Sequence, residues 1–140
     1  MSLSQGHGET IRFAFGDSPA LADELLELVL AGRKTATCGA LSDFEAGGEP
    51  MPQVGRQDIV LDGKGRPAAV IETVEITIRA FSEVDEDFAR AEGEGDLSLT
   101  FWREEHEAYF QRNGGFSPDM KLVCERFRLV KILERQDPKE

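Results

Sequence analysis

Lys34, Thr35 and Thr37 stand together in "AGRKTATCGAL", residues 31–41, with Arg33 directly before them. A threonine hydroxyl is a weak nucleophile and needs a neighbouring base to take its proton. A lysine can be that base only if its pKa falls from about 10.4 to about 7–8, a cost of roughly 3–4 kcal/mol at 1.36 kcal/mol per unit. Burial lowers a lysine pKa, whereas an ionised carboxylate beside it raises it. A Lys–Glu pair in such a site is therefore a coupled acid/base unit, and the sequence leaves its proton unplaced. Lys34 and Thr37 are three residues apart across the end of a helix, so both side chains can converge on one pocket.

Two further segments offer chemistry. "EGEGD" sets Glu92, Glu94 and Asp96 at alternate positions between glycines. Three carboxylates could hold Mg²⁺ or Ca²⁺, but the spacing fits no EF-hand loop. A turn carrying one functional glutamate, with Asp96 capping the next helix, is the better reading. "WREEH" puts Trp102 and His106 one helical turn apart and Arg103 opposite Glu107. The plain reading is a histidine stacked on a tryptophan at the edge of the core, with a surface ion pair beside it. The functional one is an aromatic–cation cluster for a nucleobase and its phosphate. Arg126 and Arg128 alternate onto one side of a strand, as solvated edge charges or as a phosphate contact.

The elements that must position these groups are legible. "GDSPALADELLELVLAG" is a helix capped by Asp17 or Ser18, with Pro19 in its first turn. Leu21, Leu25, Leu28 and Val29 form its buried stripe, and Gly32 ends it. Arg33 and Lys34 then sit where the helix dipole favours cations. "TATCGAL" alternates as a strand, with Ala36, Cys38 and Ala40 toward the core and Thr35, Thr37 and Gly39 on the accessible face. A buried Cys38 thiol is inert. Residues 42–57, rich in glycine and proline, read as a long loop of the kind that often forms a lid. A hairpin follows: a strand near 58–61, a turn at 62–65 and a strand from about 67 to 79. Then come a short helix capped by Ser82, and a longer one with Leu99, Trp102, His106 and Tyr109 or Phe110 on one face. The chain closes on a strand pair or one long bent strand. The expected class is α+β, a small mixed β-barrel with peripheral helices.

Composition narrows the function. The 140 residues carry a net charge of −11, which argues against non-specific binding to nucleic acid. The charge is uneven. Residues 83–107 hold ten acids against Arg90 and Arg103, while residues 121–135 carry five cations against Glu125 and Glu134. A neutral or mildly basic face therefore remains available. Cys38 and Cys124 have no metal-site spacing and suggest no disulfide framework, so a reducing cytoplasm is expected. No apolar run is long enough for a bilayer, and the first ten residues lack the pattern of a secretory signal. They read as a flexible tail, followed by one domain over 11–135 and a C-terminal tail over 136–140.

Together, "LVLAGRKTATCGAL", "PQVGRQDIVLDGKGRPAAVIET", "FSEVDEDFARAEGEGDLSLTFWREEHEAYF" and "MKLVCERFRLV" resemble the ASCH-domain family, in its longer bacterial form. The resemblance spans about residues 13–131. It implies a PUA-like fold, a small β-barrel flanked by about three helices, with a cleft beside the G-x-K-T-x-T segment. It also implies an RNA- or nucleotide-interacting module. A shorter branch of the family hydrolyses N4-acetylcytidine and related acylated nucleosides with a lysine, a threonine and a glutamate. Those positions match Lys34, Thr37 and Glu92. That branch's mechanism implies attack by Thr37 Oγ on the acyl carbonyl, with Lys34 accepting its proton and Glu92 helping to protonate the leaving nitrogen. Cys38 and Gly39 stand where the branch has an arginine, and Arg103 is the candidate substitute. Arg33, Thr35, Glu94, Trp102, Arg103 and His106 complete the expected substrate-binding set. The resemblance calls for no cofactor and no metal. Expected partners are a nucleoside, a nucleotide or single-stranded RNA and no membrane, with a homodimer left open. The alternatives are a non-catalytic RNA-binding module, or a ribonuclease using His106 or Lys34 as base.

Overall fold

The helix at Pro19–Leu30 (α1) starts where Ser18 accepts the Leu21 N–H. It buries Ala22, Leu25, Leu26 and Val29. Gly32 turns the chain at φ +79°, and the N–H groups of Arg33 and Lys34 then both donate to the Leu28 carbonyl. This helix end launches the segment that carries Lys34. The computed structural model describes residues 10–47 and 50–135. The two expected tails lie outside these residues, apart from Thr10.

Around α1 the chain builds one five-stranded mixed sheet. Its strands are β1 (Arg12–Phe13), β2 (Ala36–Ala40), β3 (Gln57–Leu61), β4 (Pro67–Ala80) and β5 (Lys121–Ile132). The order is β1-β3-β4-β5-β2, with β1 parallel to β3 and every other pairing antiparallel. β5 is one long strand, and register shifts in its pairing with β4 at Val70/Ile71 and Thr73/Glu75 allow it to bend. The sheet is strongly curled but not fully closed: β1 and β2 are its two edges, and the residues of both line a common cavity.

Two apolar clusters fill the two sides of the sheet. Phe15, Leu26, Val60, Ile71 and Phe127 pack under α1. Ala36, Phe81, Phe88, Trp102 and Leu122 pack on the other side under α3 (Glu86–Glu92) and α4 (Leu99–Arg112). Cys38 packs against this second cluster, as its alternation with Thr37 implies. The three expected helices are thus α1, α3 and α4. Among the described residues no helix is long and apolar enough to cross a membrane.

Local details depart from the sequence reading in three places. Residues 42–57 are not loop throughout, because Leu41–Glu45 forms a short helix (α2) whose Phe44 ring lies over Gly39. Asp85, not Ser82, caps α3 by accepting the Phe88 N–H, since Ser82 is held in a 3₁₀ turn over Phe81–Glu83. Ser98, not Asp96, caps α4, and Asp96 instead accepts the Ser98 N–H. In both cases two acceptors stand near the helix start, and tertiary anchoring of the preceding turn chooses between them.

The end of α3 is fastened to the segment before β2. Thr35 N–H donates to the Ala91 carbonyl at 2.7 Å. Gly93 caps α3 at φ +78°, and a Cβ there would lie 2.4 Å from the Arg33 carbonyl oxygen. Gly32 has a similar φ of +79° with nothing near its missing Cβ. Gly32→Ala should therefore cost only the left-handed backbone penalty, about 1–2 kcal/mol. Gly93→Ala should cost at least about 2 kcal/mol more, because backbone must move away from backbone. Denaturant unfolding of the two variants measures the difference, and equal costs would disprove the close approach.

Candidate functional site

Lys34 and Glu92 meet where α1 ends and α3 ends. Their side chains are each 1% exposed, and Lys34 Nζ donates to Glu92 Oε1 at 2.8 Å. Lys34 also donates to Glu94 Oε2 at 3.1 Å and to the Glu92 carbonyl at 3.4 Å. The ammonium's three protons can thus all be used. Burial opposes its charge, but the Glu92 and Glu94 carboxylates outweigh burial and raise its pKa above the ordinary lysine value. Lys34 rests as an ammonium. It reaches the neutral form of a base only by first passing a proton to a carboxylate.

Glu92 receives donors on both oxygens. Trp102 Nε1 donates to Oε2 at 3.1 Å, and His106 Nε2 lies 3.5 Å from the same oxygen. Burial alone would raise the Glu92 pKa, but Lys34 and then His106 drive it far below the carboxylate range. His106 stacks on Trp102, with ring centroids 4.2 Å apart and planes at 17°. Its Nδ1 is 2.9 Å from the Trp102 carbonyl oxygen, which can only accept, so Nδ1 carries a proton. Nε2 faces a carboxylate, which also only accepts. The doubly protonated ring suits both partners; burial opposes that form, but Glu92 raises the pKa above 6.5.

This cluster floors a cavity of about 100 Å³, lined also by Phe15, Thr37, Cys38 and Tyr109. The same four residues line an adjoining lobe of about 340 Å³, which runs between the two sheet edges. A lobe of that size lies in the range of small-molecule sites. Thr37 therefore stands at the junction of the two lobes. Phe127 N–H donates to the Thr35 carbonyl, which sets the phase of the β2–β5 ladder. Bonded pairs recur at every second residue, so Thr37 and Gly39 face β5 while the Cys38 N–H points into the gap.

The structure brings Lys34, Thr37, Glu92, Glu94 and His106 to this cavity. Arg33 and Thr35 are exposed and do not line it; Thr35 is bound to Ala91. Trp102 is 2% exposed and lies behind the cavity floor, holding Glu92 and His106 in place. Arg103 donates to the carbonyls of Ser82 and Val84, on another side of α4. Arg126 pairs with Glu75 and Asp87, and Arg128 with Glu72. Tyr109, Phe15 and Phe44 were not anticipated as lining residues, yet they offer the aromatic surface. Tyr109 carried a signal, since it follows His106 by three residues on one helix face.

Cys38, Glu92 and His106 place three donor atoms within 4.8 Å of one another, a set that a soft divalent ion could use. Glu92 already accepts from Lys34 on Oε1 and from Trp102 on Oε2. Burial first, and then Glu92, push the Cys38 thiol well above its ordinary pKa, so it stays protonated.

The chain matches the ASCH domain model over residues 11–131. It belongs to the ASCH domain family. The crystal structure of protein EF3133 from Enterococcus faecalis V583 is 38% identical, with a TM-score of 0.79 over 89% of this chain and 77% of that one. The ASCH domain from Lactobacillus crispatus JV V101 is 35% identical, with a TM-score of 0.80 over 86% and 79%. ASCH from Zymomonas mobilis, 11% identical with a TM-score of 0.60 over 91% and 72%, shares the fold. No curated protein matches the sequence. The PUA-like α+β architecture expected from the motifs is the one observed.

The His106 charge state is measurable. Its coupling to Glu92 is fully present below the unfolded histidine pKa of about 6.5 and is lost as pH rises through the raised folded value. The Glu92 contribution has the opposite sense: it is present above about 4.5 and lost as pH falls through its lowered folded value. In an NMR titration the His106 ring should show a midpoint above 6.5 in the wild type. Glu92→Gln should lower that midpoint, because burial then faces only Glu94 and the Trp102 carbonyl; an unchanged midpoint would refute the pairing.

Proposed function

We propose that this ASCH domain binds a nucleobase-like ligand in the two-lobed cleft and hydrolyses N4-acylated cytidine-type nucleosides at Lys34, Thr37 and Glu92. The observation that carries the reading is the fully buried Lys34–Glu92 pair in the floor of a cavity that Thr37 lines. Two buried charges cost several kcal/mol each in desolvation and add little net stability. At the base of a polar cleft they serve chemistry better than folding.

The resting charges support the following roles. Thr37 Oγ attacks the acyl carbon. The Lys34 ammonium faces the developing negative charge and gives a proton to the leaving nitrogen. Glu92, fixed by Trp102 and His106, holds Lys34 in place. The Cys38 N–H, free of the β5 ladder, is the backbone donor offered to the oxyanion, and one such donor is worth roughly 10²–10³ in rate. With Lys34 giving rather than taking a proton, the Thr37 proton must pass to a carboxylate of the cleft.

The cleft charges favour an uncharged nucleoside over RNA or a nucleotide. Arg112 is held by Asp17 at 2.8 Å, and Arg56 is held by both oxygens of Asp58 at 2.8 and 2.9 Å. Lys34 is held by its two glutamates. Asp43, Glu105 and Glu125 add negative charge to the walls. A phosphate entering here meets carboxylates and cations already committed to partners. Ribonuclease action through His106 is also disfavoured, since both ring nitrogens face acceptors.

Incubation with N4-acetylcytidine, followed by mass spectrometry, should give cytidine and acetate. Thr37→Ala should lower the rate at least about 10³-fold, and Lys34→Met should abolish turnover. The 5′-monophosphate of the same nucleoside should react at least about tenfold less efficiently. No product from the folded wild type would reject the hydrolase reading, and equal or better use of the monophosphate would reject the charge-based selectivity.

A further inference from the structure

Acceptors for the Thr37 proton can be sought among all carboxylates that line the cleft. Glu92 already accepts from Lys34 and Trp102 with His106 beside it, and Glu94 accepts from Lys34. Asp58 is chelated by Arg56 and also accepts the Ile11 N–H. Asp43 belongs to α2 and Glu105 to α4, away from the strand that carries Thr37. Glu125, which is also engaged by other groups, is distinguished by position alone: its Cα is paired with that of Thr37 in the β2–β5 ladder.

Paired residues of antiparallel strands project to the same face, with Cβ atoms about 4.5–5.5 Å apart. Both side chains line the larger lobe, so the pair opens onto ligand space. Glu125 is also held from behind: the buried Thr73 hydroxyl donates to its Oε2 at 2.5 Å. That bond holds Oε2 on the β4 side of β5, so the Thr37 proton reaches the carboxylate from β2 across the pair, directly or through one water, once a ligand is bound.

We infer that Glu125 is the general base that activates Thr37, an inference resting on Thr37 being the nucleophile of the proposed reaction. As the Thr37 Oγ–acyl bond forms, the Thr37 proton moves to the Glu125 carboxylate, and the carbonyl π pair moves onto oxygen. Collapse breaks the C–N bond, and the leaving nitrogen takes a proton from Lys34. Water then attacks the acyl-threonine and gives one proton to the neutral Lys34. Glu125 returns its proton to Thr37 Oγ as the ester bond breaks, and both residues regain their resting charges. The two lobes thus divide the work: deprotonation on the Glu125 side, protonation of the leaving group on the Lys34 side.

The test uses p-nitrophenyl acetate, an activated donor whose leaving group needs no acid, with peptide mapping of acetyl on Thr37. The wild type should be acetylated at Thr37. Glu125→Gln keeps an oxygen for the Thr73 hydroxyl but is a far weaker proton acceptor, and should slow acetylation about 10²-fold or more. Glu125→Ala should be equally slow and should regain rate when formate is added, which a merely structural role would not produce. Wild-type acetylation by Glu125→Gln, a loss that formate leaves unchanged, or no acetylation of wild-type Thr37 would each overturn the inference. If Thr37 is acetylated in a Glu125-dependent manner while N4-acetylcytidine is untouched, the proposed substrate fails and the base assignment stands.

Discussion

The ion pair between Lys34 and Glu92 constrains everything around it. A buried ammonium is tolerable only with all its protons satisfied, and here Glu92 and Glu94 supply three acceptors. A buried carboxylate needs the same on its side, which Trp102, His106 and Lys34 provide. Three separate elements must therefore arrive in register: the end of α1, the end of α3 and the first turns of α4. Gly93, pressed against the Arg33 carbonyl, and the Thr35–Ala91 bond are the fasteners that bring the first two together. Losing one partner of such a pair typically costs 3–5 kcal/mol, because the other charge stays buried.

Much of this was legible in the sequence, and the reasons are local. Leu25 and Val29 of the α1 stripe, its Ser18 cap and Gly32 follow from side-chain spacing and cap chemistry. Leu21 and Leu28, by contrast, are only half-buried, and Ala22 and Leu26 are buried with the other two. The strand alternation at 35–40 put Cys38 toward the core and Thr37 on the other face; Cys38 packs against the α3 and α4 cluster, and Thr37 is in neither cluster. The cap positions were misread because Ser82 and Asp96 are sound acceptors whose fate depends on docking of the preceding turn. The short helix α2 was missed because five residues carry too little periodicity to register.

Other features depend on three-dimensional arrangement. That "WREEH" would supply a floor rather than a wall follows from Trp102 turning inward to bond Glu92. Arg103, on the next helical position, is thereby sent to the carbonyls of the 81–84 turn. Glu125 looked like one acid in a basic strand; only the β2–β5 register sets it beside Thr37. The net charge of −11 pointed away from polyanions, and the local arrangement sharpens that point. Cations inside the cleft are paired one by one, so their number says little about the ligand they would welcome.

The unclosed sheet has a further consequence for solubility. A sheet edge presents unpaired N–H and C=O groups, and a second molecule can add a strand to it. Here the two edges, β1 and β2, face a common hollow rather than a flat outer rim. A strand from another chain would have to enter that hollow to pair. A concave edge admits small molecules and turns away ribbons. The opening between the two edges is thus also a guard against edge-to-edge aggregation.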